Sequence, residues 1–255
     1  MSLTFLITCG LVASRLAGLV MTMPGFNAQG VPQMAKIAVV LPLAVLIAPV
    51  VPGVVHMPTL PHLLFGILSE TIVGVVMGMT VYMVFTSITI SGEIISHKVG
   101  HAAAHMFDPL LKTTEGPLSS IASVLALAVF LGANLHLKLL LVLCESFQVL
   151  IPGTSFNPLN SAIIWVPLMG QVLALGLQLA GPILLLCFMS NVFIAVLTRL
   201  APQMNVYFSI GMLLTLIGGI VLMGIYIPYL LEIHLYAVDS SLDLIPSILR
   251  AMTVE

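Results

Sequence analysis

The charged residues of this chain stand far apart, and the runs between them are apolar. No Asp, Glu, Lys or Arg occurs between Lys36 and Glu70, between Glu70 and Glu93, between Glu145 and Arg199, or between Arg199 and Glu232. A helix of about 20 apolar residues spans a bilayer. The run 146–198 is therefore long enough for about two crossings, with breaks available at Gly153, Pro158 and Gly181–Pro182. The pattern predicts helices throughout, at 2–21, 34–56, 62–103, 117–150, 160–199 and 203–235, with a shorter one at 239–251. The segments 62–103 and 160–199 are too long for one perpendicular crossing. The first of them has bending points at Gly74 and Gly78. Pro42, Pro49, Pro52, Pro167 and Pro182 fall inside apolar runs. Each removes a backbone donor and kinks or stops its helix. In lipid the carbonyls so freed need partners, which points to an assembled, many-helix object.

Composition turns this pattern into a class. Of the 255 residues, 60% are hydrophobic and 6% charged, and the mean hydropathy is +1.22. A soluble domain is about 25% charged. With 7 Lys+Arg against 9 Asp+Glu the net charge is −2. No basic field exists to attract nucleic acid. Cys9, Cys144 and Cys187 each sit in an apolar run without a CxxC pair, which reads as structural buried cysteine. Residues 1–20 lack an early positive stretch. They read as a retained first helix carrying Arg15, not as a cleaved leader. The basic residues Arg15, Lys36, Lys98, Lys112, Lys138, Arg199 and Arg250 are too scattered to orient the chain. No internal repeat or low-complexity tract is evident.

Several groups carry potential chemistry. His97, His101 and His105 stand at i, i+4, i+8 and would share a helix face. Imidazoles so spaced suit a metal or a proton relay, with Asp108 as a further ligand. Gly100 and three alanines instead signal a helix end and a solvated or pore-facing surface. Glu70, Glu93 and Glu145 lie within or beside apolar runs. Intramembrane carboxylates are costly and mark functional candidates. They either carry protons or pair with backbone or Arg199 between packed helices. Gly66, Gly74 and Gly78 offer small-residue spacing for close helix approach. There is no GxSxG, HExxH or phosphate-binding glycine loop, hence no support for an enzyme. The segment Gly100 to Pro117, GHAAAHMFDPLLKTTEGP, is the most polar interior stretch. Asp108–Pro109 and Glu115–Gly116–Pro117 are turn and helix-start signals. The stretch reads equally as a plain connector or as a re-entrant, pore-lining segment.

Three segments resemble one family. Leu197-Thr-Arg-Leu-Ala-Pro-Gln-Met-Asn-Val206 is followed by Gly211. Ser91-Gly-Glu93 is followed by Gly100 and Phe107-Asp-Pro109. Pro24-Gly-Phe is followed by Val31-Pro32, Lys36 and a proline-containing apolar helix. In order, spacing and length these look like the FliR/SctT family, the R-type subunits of type III protein export gates, with the flagellar FliR side preferred. The resemblance implies an all-α integral membrane protein whose long, Pro/Gly-kinked helices pack within a helical multi-subunit gate. It implies a P-subunit-like part at 1–165 and a Q-subunit-like hairpin with the C-terminal segment at 166–255. The implied partners are the P-type and Q-type subunits (FliP and FliQ), an FlhB-like switch subunit, unfolded export substrates and membrane lipid. No cofactor is implied. The implied place is the bacterial inner membrane at the flagellar basal body. The resemblance also assigns roles. The loop after the helix bearing Ser91, Gly92 and Glu93 plugs the closed pore, with Gly100, Met106, Phe107, Asp108 and Pro109 in it and Phe107 occluding. Arg199, Pro202, Gln203, Asn205 and Glu70 are structural or inter-subunit positions. The reading from a different class is a secondary transporter moving protons or a small solute through Glu70, Glu93 and the histidines. A membrane-embedded hydrolase ranks last.

Overall fold

A computed structural model describes residues 3–26, 31–51, 60–98, 117–154, 157–200 and 211–253. Among these residues the chain is helical and has no strand. The helices are α1 (Leu3–Thr22), α2 (Gln33–Ile47), α3 (Leu60–Lys98), α4 (Pro117–Gly132), α5 (Leu135–Val149), α6 (Ala162–Leu200) and α7 (Met212–Met252), with short 3-10 turns at Ala48–Val50 and Pro158–Ser161. Five helices are long and apolar enough to cross a membrane, and the bent α4–α5 pair makes a sixth candidate. The all-α integral membrane class follows directly.

Helix lengths also constrain the setting. At 1.5 Å per residue, α3 and α6 run about 58 Å and α7 about 61 Å, whereas the hydrocarbon core is about 30 Å thick. These helices outrun a simple perpendicular crossing. The most apolar window of α3 is 67% buried, against 33% for α6 and 17% for α7. So α3 is an interior helix, while α6 and α7 turn apolar faces outward. Leu173, Leu177, Leu185 and Phe188 on α6 are each more than half exposed.

Three expected boundaries are corrected. The helix expected at 117–150 is two helices meeting at 65°. Asn134 adopts φ 58°, ψ 22° between them, a left-handed conformation that asparagine tolerates better than most residues. The elements expected at 203–235 and 239–251 form one continuous helix, α7. The polar groups around Asp239–Ser241 are accommodated on the helix. Ser241 Oγ donates to the Val238 carbonyl at 2.6 Å, and Asp239 and Asp243 reach Lys138 at 2.6 and 2.9 Å. The expected start of that helix, 203–210, lies outside the described residues. The helix expected to run to 56 stops at Ile47 and tightens into the 3-10 turn carrying Pro49, whose missing N–H cannot continue an α-helical ladder.

The chain divides into two compact units: 1–84 with 130–169 and 237–255, and 85–129 with 170–236. In the first unit, α1 lies against α3 at backbone contact. A Cβ added at Gly74 would fall on the Arg15 carbonyl oxygen, one at Gly18 on the Thr71 carbonyl oxygen, and one at Gly78 on the Thr22 hydroxyl. Glycine on both helices is what permits this approach. Around it are packed Leu11, Leu16, Leu19, Met77, Leu139, Leu143 and Phe147, all fully buried. Trp165 Nε1 donates to Thr80 Oγ1 at 3.2 Å, tying α6 to α3. The Asn157 N–H donates to the Met252 carbonyl at 3.0 Å, tying the start of α6 to the end of α7. In the second unit, Gly92 of α3 sits on Ser119 of α4, whose Cα lies 2.6 Å from where a Cβ would be. Gly176 of α6 accommodates Ile90 of α3 in the same way.

Candidate functional site

An arginine in the middle of an apolar helix must be neutralised and fully hydrogen-bonded to be buried. Arg15 meets that requirement. Its Nε donates to Glu70 Oε2 at 2.6 Å, one terminal nitrogen to Ser146 Oγ at 2.9 Å, and the other to the Leu150 carbonyl at 2.9 Å. Its guanidinium carbon lies 4.2 Å from the centre of the Phe147 ring. Glu70 Oε1 in turn accepts from the Gly153 N–H at 3.4 Å. Arg15 is 0% exposed and Glu70 3%. One ion pair thus holds α1, α3, α5 and the turn after α5 together. The backbone partner expected for Glu70 is found in the Gly153 N–H, but its ion-pair partner is Arg15 in place of the expected Arg199. The sequence reading noted Arg15 but gave it no role. Its signal was present: a lone arginine within an apolar helix demands a buried carboxylate.

Glu70 is therefore committed to a satisfied pair and is not a free carboxylate along a transport path. Glu145 is exposed. It lines a cleft of about 220 Å³ with Gln148 on α5 and Pro246 and Arg250 on α7. Glu93 is partly exposed, with Oε2 3.8 Å from His97 Nε2, one helical turn on. His97 itself is 68% exposed. His101, His105 and Asp108 lie outside the described residues. Among the described residues no three His, Cys, Asp or Glu side chains gather as a metal site. Cys187 is buried, and Cys9 and Cys144 are partly buried thiols.

The residues expected to precede the plug are built into the second unit. Ser91 is fully buried, and its hydroxyl donates to the Ile88 carbonyl at 2.9 Å. Thr89 Oγ1 and Ser123 Oγ lie 3.1 Å apart, and Ser119 Oγ donates to the Thr89 carbonyl at 3.2 Å. With the Gly92–Ser119 approach, these contacts clamp the end of α3 against the start of α4. Gly92 and Ser119, on either side of segment 99–116 in the sequence, are thereby held together. Gly100, Met106, Phe107, Asp108 and Pro109 themselves lie outside the described residues. So do Pro202, Gln203 and Asn205. Arg199 is exposed in the last turn of α6. Sequence reasoning also missed the Lys138–Asp239–Asp243 cluster. The i, i+4 spacing of the two carboxylates on a helix was its available signal.

These features define an all-helical integral membrane protein with a buried ionic clasp and long apolar faces left uncovered. A family described as "Bacterial export proteins, family 1" matches residues 6–240. The chain is 32% identical to the flagellar biosynthetic protein FliR of Escherichia coli (strain K12), over 84% of this chain and 82% of that protein. It is 29% identical to FliR of Pectobacterium carotovorum over 94% of this chain and 91% of the relative. It is 28% identical to FliR of Caulobacter vibrioides over 82% and 84%. The chain belongs to this bacterial export family and is a membrane protein of flagellar export.

Proposed function

We propose that this chain is a channel-forming, non-enzymatic subunit of the flagellar protein export gate in the bacterial inner membrane, at the flagellar basal body. In this reading it assembles with P-type and Q-type subunits (FliP and FliQ) and an FlhB-like switch subunit, and unfolded proteins leave through the assembly. The observation that carries the reading is the match to bacterial export proteins across residues 6–240. The uncovered apolar faces agree with it. Ile163, Val166, Leu173 and Leu177 on α6 are 57–77% exposed in the single chain and need lipid or neighbouring subunits to cover them. The division into a P-like part at 1–165 and a Q-like hairpin at 166–255 belongs to the same proposal. Arg199, Pro202, Gln203 and Asn205 are its inter-subunit positions.

Segment 100–117 is the closure in this proposal. An apolar side chain in a narrow pore excludes water and ions, and Phe107 fills that role. The Gly92–Ser119 contact supports this reading by joining the two helices that flank the segment in the sequence. The test is photocrosslinking with a photoreactive residue at Phe107 in cells carrying an export substrate that stalls partway. A substrate crosslink at Phe107, absent at the exposed Leu177, is the expected result. Crosslinks at neither position, with export intact, would contradict the pore assignment.

A further inference from the structure

Helices α1 and α2 enclose a cleft of about 290 Å³ lined mostly by apolar groups. On α1 its wall is made of small residues, Ala13, Ser14 and Ala17, ending at Met21. On α2 it runs from Gln33 and Lys36 to Leu41. From Ala13 to Met21 the helical rise gives about 12 Å. Small side chains on α1 leave the space open, and both helices are candidate membrane spans. The cleft therefore runs alongside two candidate membrane spans, with its polar residues, Gln33 and Lys36, at one end in the first turn of α2.

The charge at that end has no carboxylate near it in the sequence. No Asp or Glu occurs before Glu70, and Glu70 is taken by Arg15. Among the described residues Lys36 is in no ion pair. An ammonium at the start of a membrane span sits at headgroup depth, where anionic lipid supplies the missing charge. We propose that the α1–α2 cleft is a binding site for an anionic phospholipid, with its headgroup phosphate on Lys36 and Gln33 and an acyl chain along Ala13, Ala17 and Ile37. A slot about 12 Å long takes part of one acyl chain, and the anionic head distinguishes the site from general lipid contact.

The test places a photoreactive phenylalanine analogue at Ile37, which is 49% exposed beside the cleft. The purified complex in mild detergent is equilibrated with phosphatidylglycerol or phosphatidylcholine and irradiated. The mass of this chain is then read after denaturation. A phosphatidylglycerol adduct exceeding the phosphatidylcholine adduct is expected. Lys36→Gln should cut the phosphatidylglycerol adduct by about fivefold, to the phosphatidylcholine level. Ala17→Leu, which fills the slot, should remove both adducts. Excess inorganic phosphate should leave the adduct in place. Equal adducts from both lipids, an unchanged adduct in Lys36→Gln or Ala17→Leu, loss to free phosphate, or a crosslink to another protein at Ile37 would each overturn the proposal.

Discussion

Arg15 on the first helix and Glu70 on the third meet at 2.6 Å with neither side chain open to solvent. Removing one partner of a buried pair leaves an uncompensated charge and costs about 3–5 kcal/mol. Glu70→Gln and Arg15→Met are each expected to lower the unfolding midpoint of the detergent-solubilised protein strongly. The double variant Arg15→Met with Glu70→Leu should lose much less than the sum, because no orphan charge remains. Additive losses in that cycle would show that the two residues do not act as a pair.

Backbone contact between α1 and α3 makes a second prediction. Gly74→Ala drives a methyl into the Arg15 carbonyl and should destabilise by about 3 kcal/mol. Gly170→Ala, with nothing within 4 Å of the added carbon, should stabilise α6 by about 0.5–1 kcal/mol. Thermal unfolding of both variants in one detergent checks the pair. Equal effects would contradict the crossing geometry.

Lys138 bridges Asp239 and Asp243 at 2.6 and 2.9 Å, but the three side chains are 34%, 45% and 66% exposed. Exposed pairs contribute about 0–1 kcal/mol and are screened by salt. Lys138→Met should therefore cost under about 1 kcal/mol at low salt, with the difference fading in 1 M salt. A loss as large as that of Arg15→Met would mean that solvent does not reach this cluster.

If Phe107 closes the pore, shortening it opens a leak. Phe107→Ala should raise ion flux through the reconstituted assembly, while Phe107→Trp keeps it closed. Flux is followed by dye release from proteoliposomes. Identical tightness in wild type and Phe107→Ala would remove Phe107 from the closure.

Much of the fold was legible because apolar runs between sparse charges delimit helices almost unaided. Helices expected at 2–21 and 160–199 are found at Leu3–Thr22 and Ala162–Leu200. The misread boundaries have local causes. Asn134 breaks the 117–150 run through its own left-handed backbone, which apolar periodicity does not signal. The gap expected between 235 and 239 is absent, and Asp239 and Ser241 find partners on α5 and on α7 itself within one helix. At the site, Glu70 was legible as a costly buried carboxylate. Its partner was not, because fifty-five positions separate it from Arg15 and only tertiary packing brings α1 and α3 together.

The most direct test of the export-gate account is affinity purification of this chain from membranes, co-expressed with its neighbouring genes, followed by native mass spectrometry. The account predicts one large assembly holding this chain with two other small hydrophobic proteins. A stable monomer or dimer that binds no other protein would contradict it.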